Sequence, residues 1–370
     1  VINVITRRPG DEPGTYVFAG YGNYGQIRGQ LTHSGRKGIV GYRLSAGYDR
    51  TDRYTTYFPS NAVDRRSYFD DPDLGFEIVR ASAAARVHAA PAVSIDLEGG
   101  VTHAQAVTSA RATLDDVYTV GPWTHLMATL NTDWGYLRTY WNFLDAAGNV
   151  DSGRLPADFT WHTVDAEGAF SRAFHFVWDH NVTLGVAYRK KIIEWNYLGP
   201  EPFDEDHYAA FFQDTMNFGE HVSFVASLRT DSHPLLDTLQ LSPRGALVLR
   251  PTDQTSVRLS AGRAFRTQTF LESYLDLRIP SAIAGVSAQG YGAERNEALF
   301  GARDLRPEQI VSTEIGFRYV GTDYFDVDLA AYYNRVTDLV RYDPVELFTL
   351  HQAASGLGGY DETTGTYLAG

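Results

Sequence analysis

Chemistry in this chain would have to come from carboxylates, histidines and aromatics, because the sequence contains no cysteine. Thiolate nucleophiles, thiolate zinc sites and disulfides are excluded together. Asp96 with Glu98, and Asp326 with Asp328, are spaced so that both members of each pair point to one side of a strand. A general acid and base could use that spacing, but on a water-facing strand surface solvated charge is the simpler reading. Asp70, Asp71 and Asp73, and the run Glu201, Asp204, Glu205, Asp206 and His207, offer oxygen ligands for a hard cation. Neither group has the ligand spacing and turn glycine of a calcium loop, so surface acidity is favoured. The 11 histidines are scattered, none forms a helical His-Glu-x-x-His, and His162 beside Asp165 is an isolated pair. No Gly-x-Ser-x-Gly elbow, Walker loop or dinucleotide fingerprint is present. The expectation is therefore no catalytic residue, no resident metal and no cofactor.

Binding is a different matter. Tyr54, Tyr57, Phe58, Tyr68, Phe69, Tyr197, Phe203 and Tyr274 fall in polar connecting segments and could stack on a ligand, although packing of the loops on each other or an interfacial aromatic girdle would use the same residues. Of these, Tyr57, Tyr68, Tyr197 and Tyr274, together with Arg278 as a guanidinium donor, are the candidates for ligand contact. With 32 Lys+Arg against 45 Asp+Glu the net charge is −13, which offers no basic face for phosphates, so nucleic acid is not an expected partner.

The elements that must position these residues are strands. Val40, Tyr42, Leu44, Ala46 and Tyr48 alternate with Gly41, Arg43, Ser45, Gly47 and Asp49, and Val257, Leu259 and Ala261 alternate with Arg258 and Ser260. The same split recurs from Val79 to Val87, Val93 to Val101, Val182 to Tyr188, Val222 to Leu228, Val311 to Tyr319 and Phe325 to Tyr333. With weaker runs near Tyr16, Ile27, Met127, Leu137, Trp161, Phe211 and Leu247, about fifteen strands are predicted. Short turns at 34–38, 88–91, 133–136, 217–221, 251–254 and 320–323 alternate with long polar segments at 52–77, 103–124, 146–157, 198–207 and 267–307. This places every second hairpin tip on one side, as in an up-and-down barrel; no apolar run approaches the roughly 18 to 20 residues of a membrane helix. The fold class is all-β, a transmembrane antiparallel up-and-down β-barrel with its long loops outside. Val40, Tyr42, Leu44, Val257 and Leu259 are expected on the lipid face, and Arg43, Ser45 and Arg258 inside.

A family resemblance rests on motifs in consistent order along essentially the whole chain. Val1-Ile2-Asn3-Val4-Ile5-Thr6 resembles the last plug strand of TonB-dependent outer-membrane receptors, where a Gly-x-Ile-Asn-x-Ile-Thr run leads into the barrel; Ile2, Asn3, Ile5 and Thr6 carry the match. Gly20-Tyr21-Gly22-Asn23-Tyr24-Gly25 is similar to the family's first barrel hairpin, and Tyr42 to Tyr48 to its third strand. Phe211-Phe212-Gln213-Asp214 with Leu228-Arg229, Leu241-Ser242-Pro243-Arg244 with Gly262-Arg263-Ala264-Phe265-Arg266, and Leu305-Arg306-Pro307-Glu308 with Glu314-Ile315-Gly316 resemble successive strand pairs. Gln268 stands where the family has proline, and Thr230 where an aromatic is usual.

The resemblance implies a division into residues 1–8, the end of a plug domain, and 9–370, a partial barrel holding about fifteen of roughly 22 strands, within a longer protein. It implies an active transporter in the outer membrane of a Gram-negative bacterium. Such a receptor binds a scarce nutrient, most often a ferric siderophore, and imports it with energy from the TonB complex, which would engage a segment N-terminal to Val1. Its partners would be that complex, a metal chelate or other small nutrient, and outer-membrane lipid. Glu314 resembles a barrel-wall glutamate that pairs with plug arginines, though a generic lumen carboxylate reads equally well. The alternatives are a passive porin or surface-adhesion barrel, or uptake of cobalamin or an oligosaccharide.

Overall fold

The computed structural model describes residues 8–53, 73–108, 117–150, 155–156, 158–195, 198, 201–274, 278–281, 286–289, 305–322, 325–340, 347–349, 359–361 and 366–368. The strands in chain order are β1 (Gly14–Tyr21), β2 (Ile27–Lys37), β3 (Val40–Asp52), β4 (Leu74–Ala90), β5 (Val93–Thr108), β6 (Val117–Thr132), β7 (Gly135–Val150) and the short β8 (Leu155–Pro156). They continue as β9 (Phe159–Phe176), β10 (Trp178–Trp195), β11 (Phe203–Phe218), β12 (Val222–Ser232), β13 (Gln240–Thr252) and β14 (Thr255–Arg266). A single helical turn, α1 (Phe270–Tyr274), and the short β15 (Arg278–Ser281) and β16 (Val286–Gln289) interrupt the longest connection. Then follow β17 (Glu308–Thr322), β18 (Phe325–Thr337), β19 (Leu347–Thr349), β20 (Gly359–Asp361) and β21 (Thr366–Leu368).

Each long strand pairs with the next along the chain, β14 with β17 across the helix-bearing connection, so fifteen strands form an up-and-down antiparallel sheet and β8 adds to β7. The chain divides into two compact units, residues 1–166 with 190–204, and 167–189 with 205–370. In the first, Leu44 lies opposite Ala83, which lies opposite Gly99, and that row continues through Leu126 to Trp141. In the second, Phe224, Leu247, Leu259, Ile315 and Ala331 form the equivalent row. Because side chains alternate between faces, the residues between them build the other face, and that face is ionic. Asp49 bridges Arg28 and Arg80 at 2.7 Å each, and Asp96 receives Arg86 and, at 2.9 Å, the Asn131 amide.

Burial is inverted relative to a water-soluble protein. The buried apolar residues among those described are Leu74, Ala146, Ile193, Leu198 and Phe270, whereas Asp49, Asp165, Glu205, Asp214, His233, Gln240, Gln268 and Glu272 are also buried. Meanwhile Leu44 (52% exposed), Leu126, Leu137, Val186 (63%), Leu259 and Ile315 (51%) stand open on the apolar face. A patch of that extent far exceeds what a soluble monomer tolerates, so the solvent it fits is hydrocarbon. No helix among the described residues is long and apolar enough to cross a membrane, a statement that does not bear on strands.

The long connections are shorter than the sequence pattern predicts. β5 runs on to Thr108 and β6 starts at Val117, leaving 109–116 where 103–124 reads as loop; β7 extends to Val150 and β11 begins at Phe203. Alternation of apolar and polar residues is enforced only where one face meets lipid. Above that level both faces meet water, the period-2 pattern stops, and the hydrogen-bond ladder continues without it. Two connections escape the pattern altogether: the tight turn at Val177, which takes φ 63°, and the segment between β12 and β13.

Candidate functional site

A polar assembly at the long-connection end is built where β14 stops. Arg266, the last residue of that strand, donates from Nε to Glu308 Oε2 at 2.6 Å and from its two terminal nitrogens to Glu272 at 3.0 and 2.9 Å. The second contact is a bidentate fork, which fixes direction as well as distance. Glu272 is 3% exposed at its side chain and closes a reciprocal cap on α1: the Thr269 amide donates to Glu272 Oε2 at 2.7 Å, and the Glu272 amide donates to Thr269 Oγ1 at 3.3 Å. Glu308 Oε1 in turn accepts from the Val340 amide at 2.8 Å. One guanidinium thus ties the end of β14, the helix, the start of β17 and the segment after β18. Gln268 is buried and donates to the Leu305 carbonyl at 3.3 Å, closing the base of the 267–307 connection. A proline at this position could not make that bond. The same two segments meet again as backbone, where β16 pairs β15 on one side and β19 on the other.

The remaining motif residues have simpler surroundings. Arg263 donates to Gln309 at 2.9 Å, and Phe265 lies opposite Gln309 in register. Glu314 pairs with Arg258 of β14 on the polar face, at a partly exposed position, so its partner within this chain is a barrel-wall arginine.

Of the ligand candidates, Tyr274 ends α1 and packs at a tilt on Phe270, ring centroids 5.6 Å apart, directly beside the Arg266 assembly. Arg278 opens β15 opposite Gln289. Tyr57, Tyr68 and Tyr197 lie outside the described residues, as do Ile2, Asn3, Ile5 and Thr6. The segment that follows those motif residues is described from Arg8. The Gly10 amide donates to Ser34 Oγ at 3.3 Å, and Gly41 lies so close to this segment that a Cβ there would clash with the Pro9 carbonyl oxygen. Beside it is a cavity of about 440 Å³ lined by Arg8, Glu12, Gln30, Thr32 and Arg43.

One cluster is absent from the sequence reading. Glu205 and His207 on β11 meet His233, just past β12, with His207 Nε2 3.0 Å and His233 Nε2 3.7 Å from the same Glu205 oxygen. The acidic run contains the first two, but the hairpin register that adds His233 is a tertiary fact. Tyr208 pairs with Ser232, so the residues one step further out, His207 and His233, come opposite each other.

Compared with known proteins, residues 5–358 match the family described as TonB dependent receptor-like, beta-barrel. No curated protein matches the chain. Among solved structures, the siderophore receptor PirA from Pseudomonas aeruginosa superposes with a TM-score of 0.63 at 15% identity, covering 88% of this chain and 57% of that one. A mutant of the ferric enterobactin receptor PfeA from the same organism gives 0.67 at 14%, covering 90% and 54%. The alcaligin outer membrane receptor FauA from Bordetella pertussis gives 0.60 at 13%, covering 98% and 56%. At these identities the likeness is one of fold, and the chain spans little more than half the length of each.

Proposed function

The chain belongs to the TonB-dependent receptor β-barrel family, and from that premise we propose that it is the greater part of the barrel of an outer-membrane transporter that binds a ferric siderophore and imports it with energy from the TonB complex. The observation that carries the membrane assignment is the inverted surface: exposed Leu44, Val186, Leu259 and Ile315 against buried Asp49, Glu205 and Glu272. The ionic face, with Arg28–Asp49–Arg80 and Arg86–Asp96, suits a hydrated or plugged lumen. The solved proteins of similar fold are a siderophore receptor, PirA, a ferric enterobactin receptor, PfeA, and an alcaligin receptor, FauA, which supports a chelate as cargo. The family and the solved proteins of similar fold are receptors, which supports a transporter over an enzyme.

On this reading residues 1–8 are the end of the plug and 9–370 belong to the barrel. The close fit of Pro9–Gly10 on Gly41 is what a chain passing from plug to wall requires. Tyr57, Tyr68, Tyr197, Tyr274 and Arg278 contact the ligand from the outer loops, where rings stack on the flat faces of a chelate and the guanidinium meets its oxygens. Glu314 faces the plug. The long-range repulsion of an anionic cargo by a net charge of −13 is screened over roughly 8 Å at physiological salt, so local cations decide at contact.

Growth of a deletion strain on a panel of iron, cobalt and glycan sources tests the reading. Uptake of a ferric siderophore that disappears when TonB is removed or the proton-motive force is collapsed is the expected result; uptake indifferent to both would make the protein a passive pore. In the protein that supports this growth, alanine at the five ligand positions together should weaken binding at least tenfold, about 1.4 kcal/mol, with assembly unchanged. An epitope tag near Ser287 should be labelled on intact cells.

A further inference from the structure

We propose that Glu205, His207 and His233 form a binding site for one divalent transition-metal ion of the zinc class, at the outer end of the β11–β12 hairpin. The three residues converge so that one ligand atom from each lies within 4.8 Å of the others. Two of the separations, 3.0 Å from His207 Nε2 and 3.7 Å from His233 Nε2 to the same Glu205 oxygen, bracket the edge of a tetrahedron about a zinc ion. For bonds of roughly 2.1 Å that edge is about 3.4 Å. The third edge, within 4.8 Å here, has to contract to that length on loading, a movement that falls on the hairpin end, where one ligand lies in a connecting segment.

The donor set selects the ion. Two imidazoles and one carboxylate suit divalent zinc, iron, cobalt, nickel or copper, whereas calcium and magnesium want oxygen shells this site cannot supply. One carboxylate is also a poor substitute for the oxygen shell of a ferric ion, so the ion inferred here is separate from any iron cargo, and the inference does not rest on the transport reading. Burial points the same way. The side chains of Glu205 and His233 are each 2% exposed, which excludes competing water, while His207 at 18% leaves an approach and a fourth position. The rings of His207 and His233 stand edge to face with centroids 4.6 Å apart, so neither blocks the other's nitrogen.

Binding would also act on the chain. The Leu235 amide donates to His233 Nδ1 at 3.1 Å, which places the ring proton on Nε2. Ligation through Nε2 requires the other tautomer: the proton leaves Nε2 and Nδ1 takes one up, with no net release. The Leu235 amide then loses its acceptor, and the turn that begins at His233 must reorganise. Metal loading is thereby coupled to the conformation of the connection between β12 and β13.

The experiment uses the whole protein in detergent, with cobalt(II) as probe because its visible absorption distinguishes four-coordinate from fully hydrated ion. One equivalent should bind with a four-coordinate spectrum, be displaced by zinc and be indifferent to excess calcium. Glu205→Gln and His233→Asn should each weaken binding at least tenfold, while His180→Asn, which alters the His180–Asp214 pair joined at 2.8 Å, should leave it unchanged. His207→Cys guards against variants that simply fail to assemble: a folded, heat-modifiable barrel carrying this change should gain a thiolate-to-cobalt charge-transfer band. Absence of binding to the parent protein, equal affinity in Glu205→Gln and His233→Asn, or a folded His207→Cys without the new band would overturn the site.

Discussion

Leu259 and Arg266 occupy the same strand and answer to different solvents. Leu259 is one member of an apolar row from Phe224 to Ala331, open on its outer side, and its neighbours across the sheet are apolar because the medium demands it. Arg266 sits where that demand has ended, and its position is fixed by Glu272, Glu308 and the chain segments those residues carry. In the belt each side chain is judged singly by the hydrocarbon. At the rim a residue is judged by its partners, so effects should be cooperative there and independent in the belt.

The largest effect is expected in the belt. Leu259→Arg places a charge on the lipid face at a cost of about 2 to 4 kcal/mol near mid-bilayer, whereas Ser260→Arg, one step along, points to the ionic face. The fraction of heat-modifiable barrel should fall sharply in the first and little in the second, and equal tolerance would erase the distinction between the faces. At the rim, Glu272→Ala leaves the Arg266 fork and the Thr269 amide unmatched, a loss of about 1.5 to 3 kcal/mol of charged hydrogen bonding. The barrel should still assemble, but proteolysis within 267–307 on intact cells should rise at least tenfold. A double change with Glu308→Ala should be less than additive, and strict additivity would argue against a network. Gln268→Ala removes a single neutral bond to Leu305, worth about 0.5 to 1.5 kcal/mol, and should raise the same cleavage only a few-fold. An effect of the opposite sign belongs to the opposite, short-turn end. Val177 holds φ 63°, a region that disfavours a β-branched side chain by about 1 to 2 kcal/mol, so Val177→Asn should raise the melting temperature of the barrel by a few degrees.

The same contrast explains which parts of the protein are legible in its sequence. β3, with Tyr42, Leu44 and Ala46 against Arg43, Ser45 and Gly47, is readable residue by residue, because lipid on one side and water on the other impose a period of two. The number of strands, the alternation of short and long connections and the 267–307 segment follow from that period. The extensions of β5, β6 and β7 are not readable, since strands with water on both faces carry no alternation to detect.

Sequence alone therefore determined the fold class and the faces of the strands, because these depend on solvent and local geometry along one strand, whereas Arg263, Phe265 and Arg266 stand out in it only through resemblance to a family motif. It did not determine what Arg266 holds, or why Gln268 stands in place of a proline, because Glu272, Glu308 and Leu305 reach them only through the closure of a long connection. Nor did it bring His233 to Glu205 and His207, which are separated along the chain by the whole β11–β12 hairpin. That meeting depends on register, and register is fixed when two strands pair and each keeps its apolar face toward the same medium.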